Sequence, residues 1–378
     1  MGLNKRSALE LSFNFIFAMI AAVVIFSIAL AVINSVMKTA NLEKSLAVTN
    51  KISDAFSSNL IEGGQSDVIQ LSSLISFDSN CDGISFGENV VSTLNYPVFS
   101  PSKIKTNTLG ITTKKLLLPN YISNSVYLYG PTKIYLYCGG CDEISNTPEI
   151  YFSLVQTIAS AGITADTKMI KAEIVGSGYS ISNEELNALK KSNVIVVYPI
   201  NEDAPSAWCS RFKCKSISIS ELDEIESTEI SEFYKNLRYT SISDYPLGSI
   251  VYERNNFHFL GNEMLFGVLI SDNMELYNCN LKKILSGILR TAKISLKRLD
   301  IFLEEEGVFS SDEKCNEIYF SSTNAYEDLS DIVEQMIAEL DKNPPNINLN
   351  LLEKLRKNIF LISELNYNAT RYSCPSVY

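Results

Sequence analysis

The chain has 378 residues, 46% of them hydrophobic, with 43 acidic residues against 32 basic and a formal net charge of −11. That length holds one large or two ordinary domains with real cores. The acidic balance, with no Lys/Arg-rich stripe to neutralise phosphates, excludes nucleic acid as the main partner.

Residues 1–10 read as a short cytoplasmic arm or leader. Leu11 to Met37 then runs 27 residues without a charge, longer than the roughly 20 apolar residues that cross a bilayer. Its polar groups (Ser12, Asn14, Ser27, Asn34, Ser35) are small and can bond back to a helical backbone. A cleaved secretory signal has an apolar region of only roughly 7–15 residues, so the prediction is a transmembrane helix over 11–37. Leu42, Leu46, Thr49, Ile52, Phe56 and Leu60 continue at helical spacing, which extends it as a helical stalk over 38–62. Gly63-Gly64 ends the stalk, as glycine does at a helix terminus. Unbroken from Leu11 to Glu62, such a helix runs about 78 Å at about 1.5 Å per residue. Its apolar stripe packs on its own domain or on a neighbouring copy.

Residues 65–260 read as an extracytoplasmic α/β domain rich in strands. VVSTLNYPVF, LGITTKKLLLP, SVYLYG and KIYLYCGG are short apolar runs between turn residues. Tyr127, Tyr129, Tyr135 and Tyr137 alternate as on one face of paired strands, and Gly130-Pro131 between them reads as the turn of a hairpin. NYPVFSPSKIKT reads as an irregular loop fixed by two prolines. A helix is expected over 149–160. A β-α-β pattern follows: MIKAEIVG, a helix over 184–191 capped by Asn183, and NVIVVYPI as a buried strand. Gly176 and Gly178 do not make a nucleotide loop, because the third glycine of GxGxxG is absent. KSISISELDEIESTEISE reads as a surface strand and a helix start, and SIVYERNNFHFL as a hairpin about Asn255-Asn256.

Residues 261–378 read as a C-terminal helical bundle. Helices are expected over 263–270, 275–304, 326–340 and 351–365, the last two separated by Pro344-Pro345. The basic KKILSGILRTAKISLKR spreads around its helix and reads as a solvated face.

The eight cysteines are Cys81, Cys138, Cys141, Cys209, Cys214, Cys279, Cys315 and Cys374. An even number, all beyond the apolar run, suits an oxidising exterior and up to four disulfides. This places the N-terminus in the cytoplasm and the bulk outside a single-pass cell-membrane protein. A disulfide would tie down the tail at Cys374, with Cys279 or Cys315 as the natural partner. Cys138-Gly-Gly-Cys141 is the sharpest local motif. It reads as a disulfide, as half of a zinc site completed by Cys209 and Cys214, or as a redox pair. His258 is the one histidine; it sits among apolar neighbours and reads as structural. No HExxH, GxSxG or kinase set is present. Asn368-Ala369-Thr370 is a glycosylation sequon.

The first residues, MGLNKRSALELSFNFIF, set Lys5-Arg6 ahead of Glu10 at the mouth of the apolar run. This resembles the class III signal of archaeal type IV pilins and related filament proteins. The resemblance implies cleavage after Arg6, a mature start at Ser7, and pairing of Glu10 with the new terminal amine, since a carboxylate at bilayer depth needs a partner. In an ordinary signal anchor, Glu10 would sit among the headgroups. The ending RYSCPSVY, the loop NYPVFSPSKIKT and the segment LISDNMELYNCN together resemble uncharacterised membrane-anchored proteins of DPANN archaea, which implies an archaeal surface protein and lends no activity.

The expected fold class is α+β: a long N-terminal transmembrane and stalk helix, a β-rich α/β middle domain and a C-terminal helical bundle. The expected function is structural or adhesive, pilin-like in assembly, with no enzymatic role and no cofactor. Its partners would be the lipid bilayer and other copies or surface proteins. The alternative is an exported thiol-disulfide oxidoreductase or a zinc-stabilised binding module using Cys138 and Cys141.

Overall fold

The structure is a computed structural model. It describes residues 66–138 apart from 87–88, 94–95 and 118–119, then 169–176, 192–200, 203–220, 246–304, 313–342 and 347–375, with isolated positions elsewhere. Met1–Ile52 and Ser53–Tyr378 are separate compact units. In the first, Met19, Val23, Ile25, Phe26, Ser27 and Leu30 are helical. Ser27 donates its hydroxyl back to Val23 O at 2.8 Å, the local bond expected of a small polar residue there.

The second unit carries β1 (Ser66–Ser79), β2 (Gly83–Phe86), β3 (Asn89–Ser92), β4 (Val98–Phe99), β5 (Lys103–Leu117), β6 (Tyr121–Tyr129), β7 (Thr132–Cys138), β8 (Ile170–Gly176) and β9 (Asn193–Pro199). Helix α1 (Ser206–Cys209) leads to β10 (Lys213–Ser220), β11 (Leu247–Tyr252) and β12 (Asn255–Leu260). Helices α2 (Gly261–Ile270), α3 (Met274–Glu304), α4 (Glu313–Leu340) and α5 (Leu349–Arg371) follow. The strands form two six-stranded mixed sheets, ordered β3-β2-β1-β5-β6-β4 and β12-β11-β10-β9-β7-β8.

The expected fold class needs correction. Among the described residues no helix is long and apolar enough to cross a membrane. Most of 11–37 and 38–62 lies outside the described residues, as do Arg6, Ser7 and Glu10. Hydropathy states a solvent preference; it does not by itself dictate one unbroken helix. The middle of the chain is two mixed sheets rather than one α/β domain. The expected hairpin about Gly130-Pro131 is instead the crossing between them: β6 pairs with β5 and β4, whereas β7 pairs in parallel with β8 and β9. Tyr135 and Leu136, on opposite faces of β7, are both fully buried, which suits a central parallel strand better than one arm of a hairpin. Val98 and Phe99, expected in a loop, pair with β6 as a parallel strand.

The hairpin of β11 and β12 turns at Glu253-Arg254, both at positive φ (48° and 69°), not at Asn255-Asn256. Its open end fixes the register, because Gly261 N–H donates to Pro246 O at 2.9 Å where α2 begins. Ser182 accepts from Glu185 N–H at 3.1 Å, while Asn183, expected as the cap, lies outside the described residues. The helix expected over 149–160 lies outside the described residues.

One core joins both sheets to the helices. Phe99, Tyr127 and Tyr129 of the first sheet, Ile134, Ile195 and Ile217 of the second, and Leu281, Ile284 and Ile288 of α3 belong to it. Two helices approach closely because they carry no side chain at the contact. A Cβ on Gly267 would lie 2.7 Å from Phe99, and one on Gly287 would lie 2.6 Å from Ile122. On the far face of the second sheet, Tyr135, Val175, Val194 and Val196 pack with Leu189 and Trp208.

Two polar side chains of α3 hold the first sheet to it. Asn280, buried, takes Val98 N–H at 2.8 Å and gives its amide to Val98 O at 2.7 Å. It thereby acts as a neighbouring strand for the outermost strand β4. Lys283 donates to the carbonyls of Cys81 and Thr93 at 2.6 and 2.8 Å. Asn280→Ala should cost about 2–3 kcal/mol in urea denaturation, because two buried backbone groups lose their partner at once. A change under about 0.5 kcal/mol would mean that water replaces the amide.

Candidate functional site

Strand order reverses at β7, which has β8 on one side and β9 on the other, all parallel. In open parallel sheets such a switch point, at the carboxyl ends of the strands, is where ligands bind. Cys138 stands at that end of β7, level with Gly176 of β8. The strand-end position expected for the CGGC motif is therefore observed. Its remainder, Gly139 to Cys141, lies outside the described residues.

The other cysteines are accounted for. Cys81 bonds Cys279, Cys209 bonds Cys214, and Cys315 bonds Cys374, with Cα atoms 5.8, 5.3 and 5.7 Å apart. Of the two partners expected for the tail, Cys315 is the one used. Bonded to each other, Cys209 and Cys214 offer no thiolates to complete a zinc site with Cys138 and Cys141. Among the described residues no group of three His, Cys, Asp or Glu side chains could hold a metal ion. The sequon asparagine, Asn368, lies within helix α5.

His258 sits in β12 opposite Ser249, with Nδ1 enclosed and without a hydrogen-bond partner among the described residues. Burial holds its pKa below the usual histidine value. The unfolded chain therefore takes up the proton first, and stability present above about pH 6.5 drains away as pH falls below it. Unfolding free energy should drop between pH 7.5 and 5.5, and His258→Gln should remove His258's share of that drop. An undiminished drop in the variant would assign all of it to other groups.

The amino ends of the second sheet's strands build a different feature. The lysines of Lys213-Cys214-Lys215 share one face of β10, and Cys214 takes the other. Lys215 is 1% exposed, and its ammonium donates to Val268, Leu269 and Ser271 carbonyls at 2.7, 2.8 and 2.5 Å at the end of α2. Burial pulls its pKa down to about 7, with Asp272 opposing. Lys213 pairs with Asp272 at 2.9 Å, and Asp272 also accepts Ser102 N–H at 2.6 Å, so one carboxylate ties the two sheets together. The Asp272 pKa is shifted down overall: burial raises it, and the bonds from Ser102 and Lys213 outweigh that.

This junction opens into a cavity of about 240 Å³ lined by Pro101, Lys103, Ile104, Lys105, Pro131 and Asn193 among others. A neighbouring hollow of about 400 Å³ is lined by Arg211 and Phe212, and the two share Ser192, Asn193 and Lys213. The first is lined from both sheets, whereas the second is lined by Leu189, Val194 and Phe212 of the far-face cluster. Lys103 and Lys105, both exposed, alternate with the buried Ile104 along β5. On the far face of the second sheet, Lys133 holds Glu173 and Glu185 at 2.8 and 2.7 Å, and Tyr135 donates to Glu185 at 2.7 Å.

Sequence reasoning missed Lys103, Lys105, Arg211, Lys213 and Asp272. The signal present was the repeated Lys-x-Lys spacing on two strands. Which lysine would be buried and which would line a cavity depends on sheet packing, which spacing does not carry.

No family model, no curated protein and no solved structure matches this chain.

Proposed function

We propose that this chain is a structural or adhesive surface protein, working outside the cell by binding rather than by catalysis. The charge-free residues 11–37 hold it at the bilayer, with the bulk of the chain on the oxidising side. The observation that carries the reading is the set of three disulfides, one of them linking residues 198 apart. Such bonds form and persist in oxidising compartments and are rare in the cytosol. The pilin-like start supports assembly with further copies or other surface proteins through the 38–62 stripe, and a mature N-terminus at Ser7 is the result expected from terminal sequencing. Peptide mapping of the native protein without reductant should recover Cys81 with Cys279, Cys209 with Cys214, and Cys315 with Cys374. Six alkylatable thiols at those positions would overturn the reading.

One observation favours a second reading. Cys138 stands at the switch point of a parallel sheet, which suits an exported thiol-disulfide oxidoreductase using Cys138 and Cys141. Insulin reduction by the full-length protein, lost in Cys138→Ser, would establish it in place of the first.

A further inference from the structure

We propose that the open edge of β8 pairs with the same edge of a second copy of this chain, antiparallel and centred on Ala172, so that the second sheet continues across a two-fold axis. This goes beyond the surface-protein reading, because it needs neither the 38–62 stripe nor a particular compartment.

The backbone supplies the template. β8 ends the order β12-β11-β10-β9-β7-β8, and among the described strands it pairs with β7 alone. In a parallel pair every second residue bonds the neighbouring strand, and the residues between turn N–H and C=O the other way. Along Ile170–Gly176 those outward groups have no partner among the described residues. Two other outermost strands are covered. Asn280 takes both Val98 N–H and Val98 O on β4, and the Tyr277 hydroxyl donates to His258 O on β12. A bare edge accepts a further strand through main-chain bonds.

The side chains choose which strand. Ile170, Ala172 and Ile174 lie on the face that packs toward the core, while Lys171 and Glu173 share the other face and are exposed. Lys171 has no carboxylate partner among the described residues. Glu173 gives Oε2 to Lys133 at 2.8 Å, which leaves Oε1. A lysine on an edge ordinarily deters a neighbouring strand. The run Ile-Lys-Ala-Glu-Ile cancels that deterrent in one arrangement. Antiparallel about Ala172, Lys171 of each copy faces Glu173 of the other, Ile170 faces Ile174, and Ala172 faces its own equivalent. Opposite charges directly across two strands attract, and like charges repel. A slip of two residues either way sets Lys171 on Lys171 or Glu173 on Glu173, as parallel in-register pairing also does. A slip of one residue turns the charges to the apolar face. The favoured register also brings outward backbone groups to outward backbone groups, because each meeting pair is an even number of residues apart. Such a contact is its own complement and closes at two copies.

The test uses the full-length protein in a neutral detergent. Sedimentation should find a dimer that separates on dilution, as a contact along a seven-residue strand does. Hydrogen exchange should show alternate amides within 170–176 protected in the dimer and open in the monomer. Ala172→Cys should crosslink the copies under mild oxidation, since Cβ atoms directly opposite in an antiparallel pair lie about 4.5–5.5 Å apart. Lys171→Glu should weaken the dimer about tenfold, because both attractive pairs become repulsive. Lys297→Glu, at an exposed position of α3, makes the same change in net charge and should leave it unchanged. A chain that stays monomeric at the highest attainable concentration overturns the proposal. So does a dimer with no protection over 170–176, with no crosslink in Ala172→Cys, or with the same response to the two glutamate variants. The failures are distinguishable: a dimer that Lys171→Glu leaves intact sinks this edge and leaves assembly through another surface standing, whereas free thiols at the six bonded cysteines sink the surface-protein reading and leave this contact.

Discussion

Replacing Lys215 by methionine is expected to destabilise the fold by roughly 3–5 kcal/mol, because three buried carbonyls lose their donor at about 1–3 kcal/mol each. Lys215 fills the end of α2, where the last carbonyls of a helix have no intrahelical donor and the negative end of the helix dipole lies. Its amine serves Val268, Leu269 and Ser271 together. Methionine keeps the stem's length and its apolar contact, and loses only the donors. The nearby rings of Tyr252 and Phe257, 5.3 and 5.9 Å from the ammonium, therefore keep a neighbour of similar bulk. Whether charged or neutral, the amine supplies N–H groups that a thioether cannot. Guanidinium denaturation of variant and wild type measures the difference. A loss below about 1 kcal/mol would show that water or a shifted Lys213 takes over the three carbonyls.

Much of the framework was legible because it rests on periodicity. The stripe of Leu276, Ile284, Leu285, Ile288, Leu289, Ala292, Leu296 and Leu299 marked α3; six of the eight are buried, and Leu289 and Leu296 are half-buried against the same core. The apolar NVIVVYP run marked β9 as covered on both faces, and Val194, Ile195, Val196 and Val197 are all buried. What local pattern could not decide was pairing. Gly130-Pro131 carries the same turn chemistry whether it closes a hairpin or passes the chain to another sheet, and the outcome depends on β8 and β9, more than thirty residues onward. The turn between β11 and β12 went to Glu253-Arg254 despite the two asparagines beside it. The bond from Gly261 to Pro246 sets the register from the other end. The cavity at the sheet junction was not legible because its residues come from β5, β9, β10 and the turn before β7. Only the packing of one sheet against the other brings them together.

Removing Cys81 and Cys279 together, as serines, should cost more than removing either other pair. In the chain-entropy account a crosslink stabilises by restricting the unfolded chain, and the gain grows with the logarithm of the loop it closes. The loops here span 198, 59 and 5 residues. They correspond to about 5, 4 and 2 kcal/mol respectively, as upper values. The long bond has a second role. It joins the start of the first sheet's β2 to the beginning of α3, beside the Asn280 and Lys283 contacts. Its loss frees both ends of a junction that those contacts alone must then hold. The tail bond acts with the contacts of Tyr319 to Pro375 O and Arg298 to Val377 O, at 2.9 and 3.0 Å. Its loss should loosen residues 372–375 while leaving the sheets intact. The three pairs are compared by denaturation of the serine variants under one set of conditions, with hydrogen exchange to place the loosened segment. If the five-residue pair proves the most costly, loop entropy is not the source of the stabilisation, and strain or local packing around Trp208 must replace it as the explanation.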